Sequence, residues 1–176
     1  MVHRDLMSWF RFMCIPVQER GILCLRREYF PHLTSRWLHF VVIVCELELI
    51  RCRAEKHPNL NFTAVVNPAS GPGDTPEPDG NYTRDIPRLN SYPNIRTVGY
   101  VSTVWTNRNI SLALADISTY SKWATNATIP NLGMRGIFLD ETPATWTAES
   151  QEYLENIASA IRSDAGLGSD PLVSDV

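Results

Sequence analysis

From residue 58 onward the chain alternates short apolar runs, turn clusters and amphipathic stretches. Residues 60–66 (LNFTAVV) are bounded by Pro58 and by the turn-rich stretch NPASGPGDTPEPDG over 67–80, the signature of a buried strand running into a long loop. Residues 82–89 follow as a short helix, shortened or bent because Pro87 removes a backbone donor. A second apolar run over 95–103 starts after Pro93-Asn94, carries Val98, Tyr100 and Val101, and predicts another strand. Between 109 and 124, Ile110, Leu114, Ile117 and Tyr120 recur at helical spacing, with Trp123 extending the face, so an amphipathic helix is predicted there. Residues 134–139 predict the next strand and lead through GIFLDE into the acidic pair Asp140-Glu141. Thr147 is placed as an N-cap, with Glu149 in the first turn of a helix whose Tyr153, Leu154, Ile157, Ala158 and Ile161 share one face, ending near Gly166. Leu172-Val173 begins one further strand.

Strands alternating with helices of this length predict an α/β fold with parallel pairing through right-handed crossovers, in either an open doubly wound sheet or a closed barrel. No Gly-x-Gly-x-x-Gly loop follows a strand, and NPASGPG lacks the Lys-Ser/Thr of a phosphate-binding loop, so nucleotide-binding readings lose support. Residues 1–57 differ in texture. They hold every Cys and His and few turn signals, with a helical tendency only over 37–53. Residues 1–20 are read as a poorly defined N-terminal segment and 21–176 as one folded unit.

Composition narrows the class. With 44% apolar and 20% charged residues the chain is globular in type, and a net charge of −3 supplies no field to draw in nucleic acid or an anionic membrane. The longest apolar run, 38–45, is far short of the roughly 20 residues that span a bilayer, so no membrane span is predicted. Cys14, Cys24, Cys45 and Cys52 lack the paired short spacing of zinc sites, and neither metal nor cofactor is expected. Cys45 and Cys52 could form one disulfide, although buried free thiols are the favoured reading. Four Asn-x-Ser/Thr sequons, at Asn61, Asn81, Asn109 and Asn126, point to an extracellular or cell-surface protein, while residues 1–20 show neither the apolar core nor the cleavage site of a signal peptide. His3, His32, His39 and His57 are assigned no role.

In a parallel barrel the chemistry gathers at the carboxyl ends of the strands, where this chain carries Asn67 with Ser70, Thr103 with Arg108, and Asp140 with Glu141. Glycosidic cleavage commonly uses two carboxyl groups, one protonating the leaving oxygen and one acting as nucleophile or base. Adjacent strand residues point to opposite faces, so Asp140 and Glu141 cannot both flank one bond unless the backbone turns between them. One of the pair is expected to be catalytic, and the other to orient it, bind a sugar hydroxyl or cap the loop. Plainer roles compete: an Asp-Glu at a strand end is often a solvated loop start, and Asn67-Pro68 with two glycines is often a tight turn. Tyr120 and Trp123 are expected in the core rather than as sugar-stacking platforms.

The segments NLNFTAVVNPASGPG, LNSYPNIRTVGYVSTVWTNR, ADISTYSKW and GIFLDETP, in this order and spacing, resemble the spherulin-4-like family of fungi and slime moulds over about residues 58–165. The resemblance implies a (β/α)8 TIM-type barrel and endo-acting glycoside hydrolysis of α-1,4-linked, galactosamine-containing exopolysaccharide. It also implies that Asp140 and Glu141 are the acidic pair proposed to be catalytic, and that Asn67, Tyr100, Thr103 and Arg108 line or support the same cleft. The family opens with a Tyr-x-Tyr-Pro-like motif, of which GILCLRREYFP over 21–31 is a degraded echo, and it continues past the fifth strand with a further acidic residue. The expectation is therefore a partial, truncated barrel with about four βα units, its N-terminal half. Alone it is expected to be inactive toward its polysaccharide partner and to self-associate through the open sheet edge. The alternative is a noncatalytic cell-surface or carbohydrate-binding protein.

Overall fold

A computed structural model describes residues 21–22, 47–168 and 171–174. Strands and helices alternate: β1 (Gly21–Ile22), α1 (Leu47–Lys56), β2 (Phe62–Val66), α2 (Gly80–Asn90), β3 (Ile95–Ser102), α3 (Ile110–Trp123), β4 (Ile137–Asp140), α4 (Ala148–Ser163) and β5 (Leu172–Ser174). The strands form one sheet in the order β1-β2-β3-β4-β5, every neighbouring pair parallel. The strands expected at 60–66, 95–103 and 134–139 are thus present as β2, β3 and β4, each beside its neighbour in sequence. The alternating βα pattern is that of an α/β fold.

Side-chain alternation divides the sheet into two faces. On one, Ala64 and Val66 of β2, Ile95 and Val101 of β3, and Ile137 and Leu139 of β4 are buried against the helices. Ile50 and Ala54 of α1, Ile86 and Leu89 of α2, Ala113, Ile117, Tyr120 and Trp123 of α3, and Ile157 and Ile161 of α4 supply that packing, so all four helices lie on this face. The residues between, Val65, Val98, Tyr100 and Phe138, form a separate buried cluster on the opposite face. Tyr120 crosses the sheet over Gly99, where a Cβ would stand 2.6 Å from its ring, and its hydroxyl donates to the Val66 carbonyl at 2.9 Å. Only glycine lets the helix approach β3 so closely, and Tyr120 and Trp123 are core residues as expected, packed edge-to-face at 4.8 Å.

Local differences from the sequence reading have physical causes. Asp79 caps α2, accepting from the Asn81 and Tyr82 amides, and the helix continues through Pro87 to Asn90. Ile86 and Leu89 on either side of Pro87 are fully buried, and their packing offsets the missing backbone bond. Strand β4 starts later than expected, at Ile137, although Met134 is still buried in the core. Thr147 caps α4 as expected, in a reciprocal capping box with Ser150. Asn and Thr side chains at α3 and α4 starts satisfy amides that these helices leave unpaired. Cys52 is a free thiol, but an exposed one rather than the buried thiol expected; Cys14, Cys24 and Cys45 lie outside the described residues, as does 37–46 of the expected first helix. Among the described residues no helix is long and apolar enough to cross a membrane.

Candidate active site at the carboxyl ends of the strands

Parallel register brings the ends of β2, β3 and β4 to one edge, with Val66 beside Gly99 and Ser102 beside Asp140. The loops 67–79, 103–109 and 141–147 all leave from that edge. Loop 67–79 therefore shares it with Asp140, as the βα rhythm predicts.

The acidic pair is built from β3. Asp140 ends β4 on the face opposite the helices, half-buried, and its Oδ2 accepts from the Tyr100 hydroxyl at 2.6 Å. Its Oδ1 accepts from the Glu141 amide at 2.8 Å. Glu141 itself adopts the left-handed conformation, φ 58°, so the backbone turns between the two acids. Glu141 Oε2 then accepts from the Ser102 hydroxyl at 2.5 Å. Tyr100 and Ser102 are two apart on one strand and project to one face. Their hydroxyls hold both carboxylates at that face, and among the described residues nothing else bonds to Glu141 Oε1.

The turn is held from the other side by Thr103. Its side chain, fully buried, donates from Oγ1 to the Asp140 carbonyl at 3.1 Å and to the Glu141 carbonyl at 2.7 Å, while its amide donates to Asp140 at 3.0 Å. Thr103 thus fixes the backbone carrying the acids rather than facing the open edge. Arg108 is bound internally as well: one guanidinium nitrogen donates to the Ser102 carbonyl at 3.0 Å, another to Asp116 Oδ2 at 2.7 Å. That pair ties the end of β3 to α3. Asn67 spends its carboxamide oxygen on the Gly71 amide at 3.0 Å and its carbonyl on the Tyr82 hydroxyl at 3.0 Å, organising its own turn. Ser70 sits exposed on that turn in the left-handed conformation, φ 53°. Of the residues singled out from sequence, Tyr100, Asp140 and Glu141 meet directly, Thr103 and Arg108 brace them, and Asn67 and Ser70 shape the neighbouring loop.

Sequence reasoning missed two residues. Ser102 was passed over for Thr103, although strand alternation from Tyr100 places Ser102, not Thr103, on the face of Tyr100. Trp105 is the other, exposed by 56% on the loop after β3. Its signal was present: a large apolar residue in a loop at the carboxyl edge has no helical or strand periodicity to explain it. Trp146, exposed by 59% on the loop after β4, is not joined to the acidic turn by any bond among the described residues.

Loop 103–109 has an unusual backbone. Val104, Trp105 and Thr106 all take the left-handed conformation, at φ 48°, 51° and 65°. A side chain there costs about 1–2 kcal/mol per residue, and the region is ordinarily visited by single residues. The loop is nonetheless tied down, because the Trp105 amide donates to the Glu141 carbonyl at 2.7 Å and the Arg108 amide to the Thr103 carbonyl at 3.2 Å. Nearby, the Tyr153 hydroxyl of α4 is buried with no partner among the described residues, and burial raises its pKa, opposed by the Arg108 charge. Among the described residues no three His, Cys, Asp or Glu side chains are grouped as a metal site would require.

Comparison with known proteins agrees on one family. The family model described as spherulation-specific family 4 matches residues 49–175. The crystal structure of Aspergillus clavatus Sph3 in complex with GalNAc superposes with a TM-score of 0.69 at 46% sequence identity, covering 72% of this chain and 50% of that one. The chain thus spans about half the length of the solved protein it matches. No curated protein matches.

Proposed function

Starting from the chain's membership of spherulation-specific family 4, we propose that its βα units are part of a (β/α)8 barrel whose acidic pair hydrolyses α-1,4-linked, galactosamine-containing exopolysaccharide. A strand order without reversal and helices confined to one face support the barrel over a doubly wound sheet, in which the order reverses and helices cover both faces. The observation that carries the chemistry is the pair of hydroxyl anchors, Tyr100 to Asp140 and Ser102 to Glu141. They bring two carboxylates to one face, the two groups that glycosidic cleavage needs, one to protonate the leaving oxygen and one to attack or to activate water. The GalNAc bound to the Sph3 relative supports an N-acetylgalactosamine-containing ligand. Exposure of Asn61, Asn81 and Asn109 supports an extracellular setting, since three of the four sequons stand on the surface.

The test is release of reducing ends from an α-1,4-linked galactosamine polymer by the chain and its variants. Asp140→Asn or Glu141→Gln lowers turnover by about 10²–10⁴-fold, because a carboxamide keeps the shape but can neither exchange the proton nor carry the charge. Near wild-type turnover by both variants dismisses the pair as catalytic. Retention of the polymer by the wild-type chain without reducing-end release favours the noncatalytic binding protein instead, and complete indifference to the polymer refutes both. The same assay decides the expectation that the chain alone is inactive, which supposed that the second carboxylate comes from elsewhere.

A further inference from the structure

We propose that the indole of Trp105 is the stacking surface for the sugar unit next to the one held at Asp140 and Glu141, so that the site reads a chain of linked sugars rather than a single ring. The inference rests on the glycan reading above. Its starting point is position: the Trp105 amide donates to the Glu141 carbonyl at 2.7 Å, which places this residue's backbone directly against the acidic turn. Isolated surface tryptophans are ordinary, and exposure of 56% alone would carry nothing. Here the exposed indole is borne at the centre of three consecutive left-handed residues, none of them glycine or asparagine. Such a backbone persists only where its surroundings hold it, and such strain clusters at ligand clamps and active sites. Buried Thr103 at one end and the internally bonded Arg108 at the other provide that hold. The loop backbone is therefore pre-organised, and the side chain it carries is a flat, rigid apolar surface with one polar edge.

The partner with matching chemistry is a pyranose chain. A galacto-configured ring carries its axial hydroxyl on one face and C–H groups on the other, so it offers an apolar face for an aromatic ring and hydroxyls for carboxylates at the same time. The turn to which the Trp105 backbone is bonded carries two carboxylates held by two strand hydroxyls, polar groups that suit the hydroxyls of a sugar. Trp146, on the loop after β4, is comparably exposed but lacks any bond to the acidic turn among the described residues, and it serves as the internal control.

The experiment titrates wild type, Trp105→Ala, Trp105→Phe and Trp146→Ala with an oligosaccharide of α-1,4-linked N-acetylgalactosamine and with free N-acetylgalactosamine, by calorimetry, with thermal midpoints measured alongside. Trp105→Ala weakens the oligosaccharide about tenfold and Trp105→Phe about threefold, while Trp146→Ala and free-sugar affinity stay within about twofold of wild type. An unchanged oligosaccharide affinity in Trp105→Ala overturns the inference while leaving hydrolysis at the acidic pair intact. So does an equal loss for oligosaccharide and free sugar, which marks general damage to the loop, and so does an effect found at Trp146 alone. A wild-type chain that binds neither sugar overturns this inference together with the functional reading beneath it.

Discussion

At the amino edge of the sheet, side-chain amides close the structure on itself. Asn90 donates to the Asn131 and Gly133 carbonyls, both at 2.9 Å, and accepts from the buried Thr97 hydroxyl at 2.6 Å. Asn94 donates to the carbonyls of Ala54, His57 and Leu60. At the carboxyl edge the same sheet holds two half-buried carboxylates, two exposed tryptophans, and five left-handed residues that are not glycine: Ser70, Val104, Trp105, Thr106 and Glu141. The amino edge has one such residue among those described, Asn131, of a type that tolerates the conformation. Charge divides the same way. Arg53, Lys56, Arg88, Lys122 and Arg162 stand in the last turns of their helices at the amino edge, where the helix dipole favours cations. Loops 67–79 and 141–147 carry Asp74, Glu77, Asp79 and Glu141 without a lysine or arginine, and the one arginine of loop 103–109, Arg108, is paired with Asp116. One edge joins its polar side chains to backbone carbonyls, and the other carries the strained residues and the paired carboxylates.

Five substitutions test how sharp that division is, and the largest effect is functional. Asp140→Asn and Glu141→Gln, expected on the proposed function to remove turnover, should shift the thermal midpoint by no more than about 3 °C, because the carboxamide oxygens they introduce can still accept from Tyr100 and Ser102. A drop of 10 °C or so in either would make the pair structural and break the comparison. Next, Asn90→Ala at the amino edge should cost about 1–3 kcal/mol in urea unfolding, since it strands the buried Thr97 hydroxyl and removes the donor to two part-buried carbonyls. Stability within about 0.5 kcal/mol of wild type would show that this edge does not carry the load assigned to it.

Ser102→Ala comes third. It should lower kcat about tenfold with little change in KM, because the hydroxyl orients Glu141 without itself meeting substrate. A rise in KM at constant kcat would make Ser102 a substrate contact instead. The smallest effect is expected at Tyr153→Phe, which deletes a buried hydroxyl without a partner among the described residues and should leave the protein equally stable or stabilise it by up to about 1 kcal/mol. A loss of stability would reveal a partner for that hydroxyl.

The elements were legible because periodicity records burial. The three-and-four spacing of Ile110, Leu114, Ile117 and Tyr120 specified α3, the apolar runs specified β2 and β3, and Thr147 announced its cap. Where a local rule competed with packing, packing prevailed: Pro87 did not end α2, because Ile86 and Leu89 bury that turn. The candidate site was legible only as a set of residues at one edge. That Asp140 and Glu141 face the same way depends on a left-handed turn at Glu141, which no glycine or asparagine announces and which is held by bonds from Thr103 and Trp105, some forty residues earlier. The choice of Ser102 over Thr103 as the hydroxyl that reaches Glu141 likewise rests on the register of β3 against β4. A single sequence determines which residues seek burial and which form turns, because those preferences act over a few neighbours. Which hydroxyl meets which carboxylate was decided only when two distant segments lay side by side, because a hydrogen bond is set to within tenths of an ångström by strand register and backbone geometry, and neither is written in the residues that make the bond.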